Sequence, residues 1–203
     1  KGNMKFNKET KQIEWELSSP YSIECIICGE KAPLIHNNYS GYKGLKYEIF
    51  SCLNCMVKFC NPRVPPDYNK VTEESYSEYK EFSRKLKKTP TEEIIEVLNE
   101  NSITFAIPFE YLKDKNNLAI LDMGCSYGYF TYALNKLGQR AWGEDISSEA
   151  IKFAEEEFDE YWFGDAPSRI YDVIISLETI EHVQNPTNFI DKLMGRLRPD
   201  GVL

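Results

Sequence analysis

The chain has 203 residues, 42% of them hydrophobic, and a formal net charge of −8, which suits one medium domain plus a small module. No run approaches the ~20 apolar residues of a membrane span, and the polar start KGNMKFNKETK has no apolar core of the kind a secretory leader needs. Residues 1–19 sum to +1, residues 20–66 to +2 and the remainder to −11, and so acidic a C-terminal part argues against a nucleic acid as its main partner.

Residues 4–17 alternate apolar and polar about Ile13, Trp15 and Leu17, with Lys8-Glu9-Thr10 as a turn, and predict a hairpin or edge strand. Two C-x-x-C knuckles follow, Cys25 with Cys28 and Cys52 with Cys55, separated by twenty-three residues. In a chain with no export signal such pairs are metal ligands rather than disulfides. Four thiolates suit Zn2+ and leave no open coordination position, so the predicted zinc is structural. A cytoplasmic location follows from the same cysteine usage. His36, between the knuckles near Gly41 and Gly44, is expected in a surface loop. Cys60 and Cys125 are expected to be small packing residues. The prolines of NPRVPPD, residues 61–67, end the module.

Residues 72–112 read as helical, with Ile94, Ile95, Val97 and Leu98 as an apolar stripe and breaks at Pro90 and Pro108. Tyr76 and Tyr79 fall three apart on one side of a turn. The stretch Leu118–Phe130, LAILDMGCSYGYF, organises the rest of the chain. Its apolar run predicts a strand buried on both faces. Gly124 permits a sharp turn and a close ligand approach, and Gly128 opens a helix over 129–137. The acid Asp122, ahead of the first glycine, would repel a pyrophosphate and suit a cationic ligand. Strand and helix then alternate: a strand at 141–145 ending in Asp145, a helix at 146–158 capped by Ser147, a short strand at 161–166, a buried strand at 171–176 and a helix at 188–197. That order predicts a parallel sheet covered on both faces. Asp145 stands where an acid can accept hydrogen bonds from both hydroxyls of a ribose, with Glu144 as its rival.

The D-x-G-C-S-x-G turn at Asp122–Gly128 resembles motif I of the class I S-adenosylmethionine-dependent methyltransferases, with Ser126 where that family more often has glycine. The order C-x-x-C-G, YEIFSCLNC, NPRVPP resembles the zinc ribbon that one subgroup of the family carries ahead of its catalytic domain. The resemblance implies a Rossmann-like α/β fold behind an N-terminal ribbon, with the C-terminal part of the fold not reached by Leu203. It implies contacts to S-adenosyl-L-methionine from Asp122, Gly124, Cys125, Ser126, Gly128, Tyr129, Asp145 and Ile146. Asp165 would take the adenine amino group and the Ala166 amide a ring nitrogen, while Leu177 and Glu178 would line the pocket. In similar enzymes the linker helix with Tyr76 and Tyr79 closes over the cofactor. The expected divisions are 1–66 for hairpin and ribbon, 67–117 for a helical lid and 118–203 for the cofactor domain.

Methyl transfer needs mostly alignment and a dry pocket. His182, the one histidine of the catalytic part, is the candidate base. Glu178, Glu181 and His182 are spaced like the metal motif of some O-methyltransferases, but no second histidine follows, so no tightly bound ion is expected there. The leading expectation is a methyltransferase for a small-molecule acceptor, such as a sugar or another biosynthetic intermediate. An RNA methyltransferase that docks RNA on its ribbon, and a cofactor-binding protein without catalysis, are the other readings.

Overall fold

The computed structural model describes residues 3–7, 12–16, 21–40, 46–61, 73–158, 162–164 and 170–203. The expected turn at Lys8–Thr10, the glycines Gly41 and Gly44, the prolines Pro62, Pro65 and Pro66, and the acid and alanine Asp165 and Ala166 lie outside the described residues. The chain divides into two compact units, 1–66 with 182–188 and 67–181 with 189–203.

In the first unit β1 (Asn3–Asn7) and β2 (Gln12–Glu16) form an antiparallel pair. A separate antiparallel sheet runs in the order β3 (Ser22–Glu24), β4 (Lys31–Ser40), β5 (Lys46–Ser51) and β6 (Lys58–Asn61). Its core is Ala32, Phe50 and Phe59 together with Cys25 and Cys52. Phe50 stacks on Phe59 at 5.9 Å and takes the edge of Tyr21 at 5.6 Å. Among the described residues this is a small apolar core for a segment of that length. His36 departs from expectation: it is exposed on β4, opposite Ile49, and not in a loop. Two antiparallel strands, β4 and β5, fill most of the stretch between the knuckles, and apolar Leu34, Ile35, Tyr47 and Ile49 favour their pairing.

In the second unit the linker is three helices, α1 (Glu73–Lys88), α2 (Ile94–Asn101) and α3 (Ala106–Leu112). Pro90 breaks the run, but Pro108 sits in the first turn of α3, where a missing N–H costs no hydrogen bond. Ile94 and Leu98 are fully buried and Val97 partly, whereas Ile95 faces outward. Then come β7 (Ala119–Met123), α4 (Tyr129–Lys136), β8 (Arg140–Glu144), α5 (Ser148–Glu157), β9 (Trp162–Phe163), β10 (Tyr171–Ile175), α6 (Pro186–Met194), whose residues up to Asn188 are grouped with the first unit, and β11 (Leu197–Val202).

The five strands make one parallel sheet in the order β11-β10-β7-β8-β9. Side chains alternate across it with period two. Ile120, Val173 and Ile175 face a core that includes Leu86, Leu98, Phe109, Phe130 and Leu134. Leu121 and Ile174 face a second core with Trp142 and Leu193, and Tyr171 joins it because the register shifts between Tyr171 and Val173. From β7 the chain builds outward to β8 and β9, then returns to add β10 and β11 on the other side. The strand order therefore reverses between β7 and β10, and the crevice beyond their carboxyl ends is where an open parallel sheet receives a ligand. β11 pairs with β10 only at Leu197 and Val202, across a register shift. Past that point the edge of β10 borders an apolar cavity of about 430 Å³ between Ile107 and Tyr111 of α3 and Phe189 and Leu193 of α6.

Candidate functional site

The apolar residues of β7 end at the turn Gly124–Gly128, which lies at that reversal. Gly124, Ser126 and Gly128 all have left-handed backbones, with φ of 86°, 50° and 75°. Glycine adopts this region freely and serine does not, which is the physical reason a third glycine would suit position 126. Two amides of the turn, Gly124 N and Cys125 N, donate to the Glu144 carbonyl at 2.7 and 3.0 Å. A side chain at Gly124 would collide with Thr179, whose hydroxyl donates to the Met123 and Leu177 carbonyls at 3.3 and 2.9 Å. The bare backbone at 124 thus admits Thr179 as well as any ligand. Gly143 of β8 plays a similar part, since a Cβ there would come within 2.7 Å of Thr131 Oγ1 and 2.8 Å of Cys125 Sγ.

Asp122 is buried and accepts a 2.7 Å hydrogen bond from the Thr131 hydroxyl of α4. Burial pushes its carboxyl up to about 7, with the charge of Asp145 adding to the rise and the Thr131 bonds opposing it. Burial also holds the Cys125 thiol far above its usual range, and the neighbouring acids Asp122, Asp145 and Glu144 reinforce this. That thiol is a packing group, not a nucleophile. Tyr129 opens α4, and its hydroxyl is likewise raised, first by burial and then by Asp122, Tyr79 and Glu178.

The two acids at the end of β8 do different things. Glu144 pairs with Arg196 through both oxygens, at 2.7 and 2.8 Å. Asp145 accepts from Ser126 N at 2.9 Å through one oxygen and from Ser147 N at 2.8 Å through the other. Ser147 in turn caps α5 by accepting from Ala150 N at 3.2 Å. Asp145 therefore links the glycine turn of β7 to the first turn of α5. Next to it Ile146 is 81% exposed, an apolar side chain standing in solvent at the mouth of the crevice.

Beyond β10, Leu177 is half-buried and Glu178 is exposed with a left-handed φ of 50°. His182 is exposed and closes the short 3-10 turn Ile180–His182. Its residue number falls in the stretch that groups with the first unit.

In the first unit the sulfurs of Cys25, Cys28, Cys52 and Cys55 all lie within 4.8 Å of one another. Cys25 is 3.5 Å from Cys55, and Cys28 is 3.5 Å from Cys52. Tetrahedral zinc with Zn–S bonds of ≈ 2.3 Å requires sulfurs roughly 3.8 Å apart, so shifts of well under about 1 Å, apart for the two close pairs and together for the wider ones, would make the site. The knuckles repeat one geometry: the residue after each second cysteine, Gly29 and Met56, is left-handed, with φ of 77° and 63°. Ile27 N points at Cys25 Sγ and Cys55 N at Cys52 Sγ, at 3.4 and 3.5 Å.

A glycine turn at the strand-order reversal, followed by an acid at the end of the next strand, belongs to the class I S-adenosylmethionine-dependent methyltransferase fold. The family model described as "Methyltransferase domain" matches residues 88–203, and the chain belongs to that family. Among curated relatives, a ubiquinone biosynthesis O-methyltransferase of Parvibaculum lavamentivorans is 27% identical over 118 residues, 53% of this chain and 47% of its own length. One from Maricaulis maris is 32% identical over 108 residues, 47% of this chain and 40% of its own. The chain thus spans less than half the length of these relatives. The YcgJ protein of Bacillus subtilis superposes with a TM-score of 0.43 at 18% identity, over 47% of this chain and 46% of that one, too partial a likeness to add to the family match.

Sequence reasoning missed Thr131, Thr179, Ser83 and Arg196. Thr131 left one signal, a polar residue on the otherwise apolar inner face of α4. The others depend on partners far along the chain and left none.

Proposed function

We propose that the chain is the cofactor-binding part of an S-adenosylmethionine-dependent methyltransferase that acts on a small-molecule acceptor and carries a structural zinc. The observation that bears most of the weight is the Asp145 carboxylate joining the glycine turn to the first turn of α5. A carboxylate offers about four acceptor positions. Two amides use half of these, which leaves capacity for the two hydroxyls of a ribose seated beside the turn. Gly124, Cys125, Ser126 and Gly128 would supply the bare backbone against the amino-acid portion of the cofactor. Asp122, Tyr129, Leu177 and Glu178 would border it, and Ile146 would cover the adenine; the adenine contacts expected of Asp165 and Ala166 fall outside the described residues.

The cofactor supplies an electrophilic methyl on sulfur; the chain's part is to align it and exclude water. Negative potential from Asp145 and Glu178 suits a ligand that carries an ammonium and a sulfonium. The relatives are named as O-methyltransferases, which supports an oxygen on the acceptor, and His182 is the residue we assign as its base. Cys25, Cys28, Cys52 and Cys55 would hold one Zn2+, whose role is to fold the ribbon.

Calorimetry with S-adenosylhomocysteine tests the reading. The parent chain should bind, and Asp145→Ala should weaken binding by roughly 100-fold, as expected when charged hydrogen bonds to two hydroxyls are lost. Equal affinity in the two proteins would refute the site. Elemental analysis should find about one zinc per chain, and His182→Ala should lower turnover by roughly 100-fold with S-adenosylhomocysteine affinity unchanged.

A further inference from the structure

The turn Gly124–Gly128 is tied to the sheet by the Glu144 carbonyl and the Asp145 carboxylate. A third tie comes from outside the sheet. Ser83, in the middle of α1 and fully buried, donates its hydroxyl to the Tyr127 carbonyl at 3.2 Å. A serine inside a helix ordinarily bonds back to its own helix. Here the hydroxyl goes to a residue 44 positions along the chain.

The peptide it grips is fixed at both ends. The Tyr127 carbonyl takes the Ser83 hydroxyl, and the N–H of the same peptide, on Gly128, donates to the Cys125 carbonyl at 3.0 Å. Tyr127 is held by its ring as well. Tyr76 lies 5.2 Å away, Tyr79 stacks on it at 6.3 Å and 11°, Phe153 meets it edge-on at 5.4 Å, and the Lys80 ammonium sits 5.6 Å from its centre. Lys80 also pairs with Glu149 of α5 at 3.1 Å. One face of α1 therefore clamps a single residue of the turn. That residue lies between Ser126 and Gly128, both left-handed, where the backbone is freest or most strained and a peptide flip is easiest.

We propose that Ser83 is a positioning residue for cofactor binding: through the Tyr127 carbonyl it locks the Tyr127–Gly128 peptide and so keeps the glycine turn in its ligand-ready shape. The inference rests on the proposed binding of S-adenosylmethionine at this turn. Without the hydroxyl, part of the population takes a flipped turn, and apparent affinity falls in proportion to the competent fraction.

The test is calorimetry of the 203-residue chain with S-adenosylhomocysteine, at a temperature well below unfolding. Ser83→Ala should bind roughly tenfold more weakly, the effect of one lost neutral hydrogen bond. Ser83→Thr, which restores the hydroxyl, should recover most of that loss. A purely structural serine would lower the melting temperature and leave the affinity of the folded protein alone. An affinity within about twofold of the parent in folded Ser83→Ala, or a loss in Ser83→Thr equal to that in Ser83→Ala, overturns the proposal. If Ser83→Ala does not fold, Ser83→Cys, with similar volume and a weak donor, is read in its place by the same criteria. Asp145→Ala is run alongside. If it too binds normally the cofactor reading fails, whereas a loss there with none at Ser83 removes the positioning role only.

Discussion

Asp122 makes stability depend on pH in a direction opposite to that of most native carboxylates. Its side chain is buried with one hydroxyl donor, Thr131, and its folded-state carboxyl titrates at about 7 against an ordinary value of 3.8. Between those values the unfolded chain has released the proton and the native chain still holds it. Native protein binds more protons there, so stability falls as pH rises from about 4 to about 7 and stays low above that. At ~1.4 kcal/mol per pH unit, the window of about three units corresponds to something on the order of 4 kcal/mol. Asp122→Asn keeps the shape and an acceptor for Thr131 but cannot ionise. Urea unfolding of both proteins between about pH 4.5 and pH 8, followed through the buried Trp142, gives the test without cofactor present. Between the two ends the Asn variant should gain about 3 kcal/mol on the parent, because roughly 1 kcal/mol of the full effect is already present at about pH 4.5. All other titrating groups are common to both proteins and cancel in the difference. Parallel stability curves across that range would show that the Asp122 carboxyl is not held protonated and that the reasoning from burial fails.

Ser126→Gly removes a left-handed serine that costs about 1–2 kcal/mol but adds about 0.5–1 kcal/mol of freedom to the unfolded chain, so the urea midpoint should rise slightly; a loss above ~1 kcal/mol would count against the described turn. The Tyr127 hydroxyl is buried with no partner among the described residues, so Tyr127→Phe should raise stability by about 1 kcal/mol, and a clear drop would mean that the hydroxyl is satisfied. A strong chelator should unfold the first unit and leave the second intact, seen as loss of protection from hydrogen exchange at β4 and β5 but not at β7 and β10. Glu144→Gln should cost roughly 2 kcal/mol by weakening the paired Arg196 and change S-adenosylhomocysteine affinity little, measured by urea unfolding and calorimetry on the same sample.

The features legible in the sequence are those that local chemistry determines. The apolar runs at 118–121 and 173–175 are read as strands because they are short and continuous, and the first runs into the glycine turn at Gly124. The cap at Ser147 is real because a serine at the start of an amphipathic segment meets an unpaired amide three residues on. The four sulfurs converge because each C-x-x-C knuckle is a self-contained turn. The features that escape a sequence reading depend on distant partners. A bare Gly124 suggests room for a ligand, yet Thr179, from beyond β10, takes the space a side chain would need. Pro108 reads as a break because its neighbours give no sign that a helix begins two residues earlier. The isolated His36 suggests a loop, and only the pairing of β4 with β5 makes it a strand residue. Ser83 looks like one more polar position on an exposed helix. Only the packing of α1 on the turn shows that it is buried.

The adjacent acids Glu144 and Asp145 show how two similar residues come to have different duties. β8 ends at Glu144 and Asp145 begins the turn that follows, so the two side chains reach different partners. Glu144, the last residue of β8, is neutralised by Arg196, whose guanidinium also lies 5.4 Å from the ring of Tyr171. Its carbonyl, not its carboxylate, holds the glycine turn. Asp145 has left the strand, carries no paired cation among the described residues, and is stabilised by two amides. Those amides orient the carboxylate without consuming all its acceptor capacity, the condition for a residue that is to shape a turn and, as proposed, receive hydroxyl groups. A salt-bridged acid could do the first of these but would have to give up its cation to do the second. The choice of Asp145 over Glu144 therefore follows from how each charge is compensated, and not from their spacing in the sequence, which is the same to within one residue.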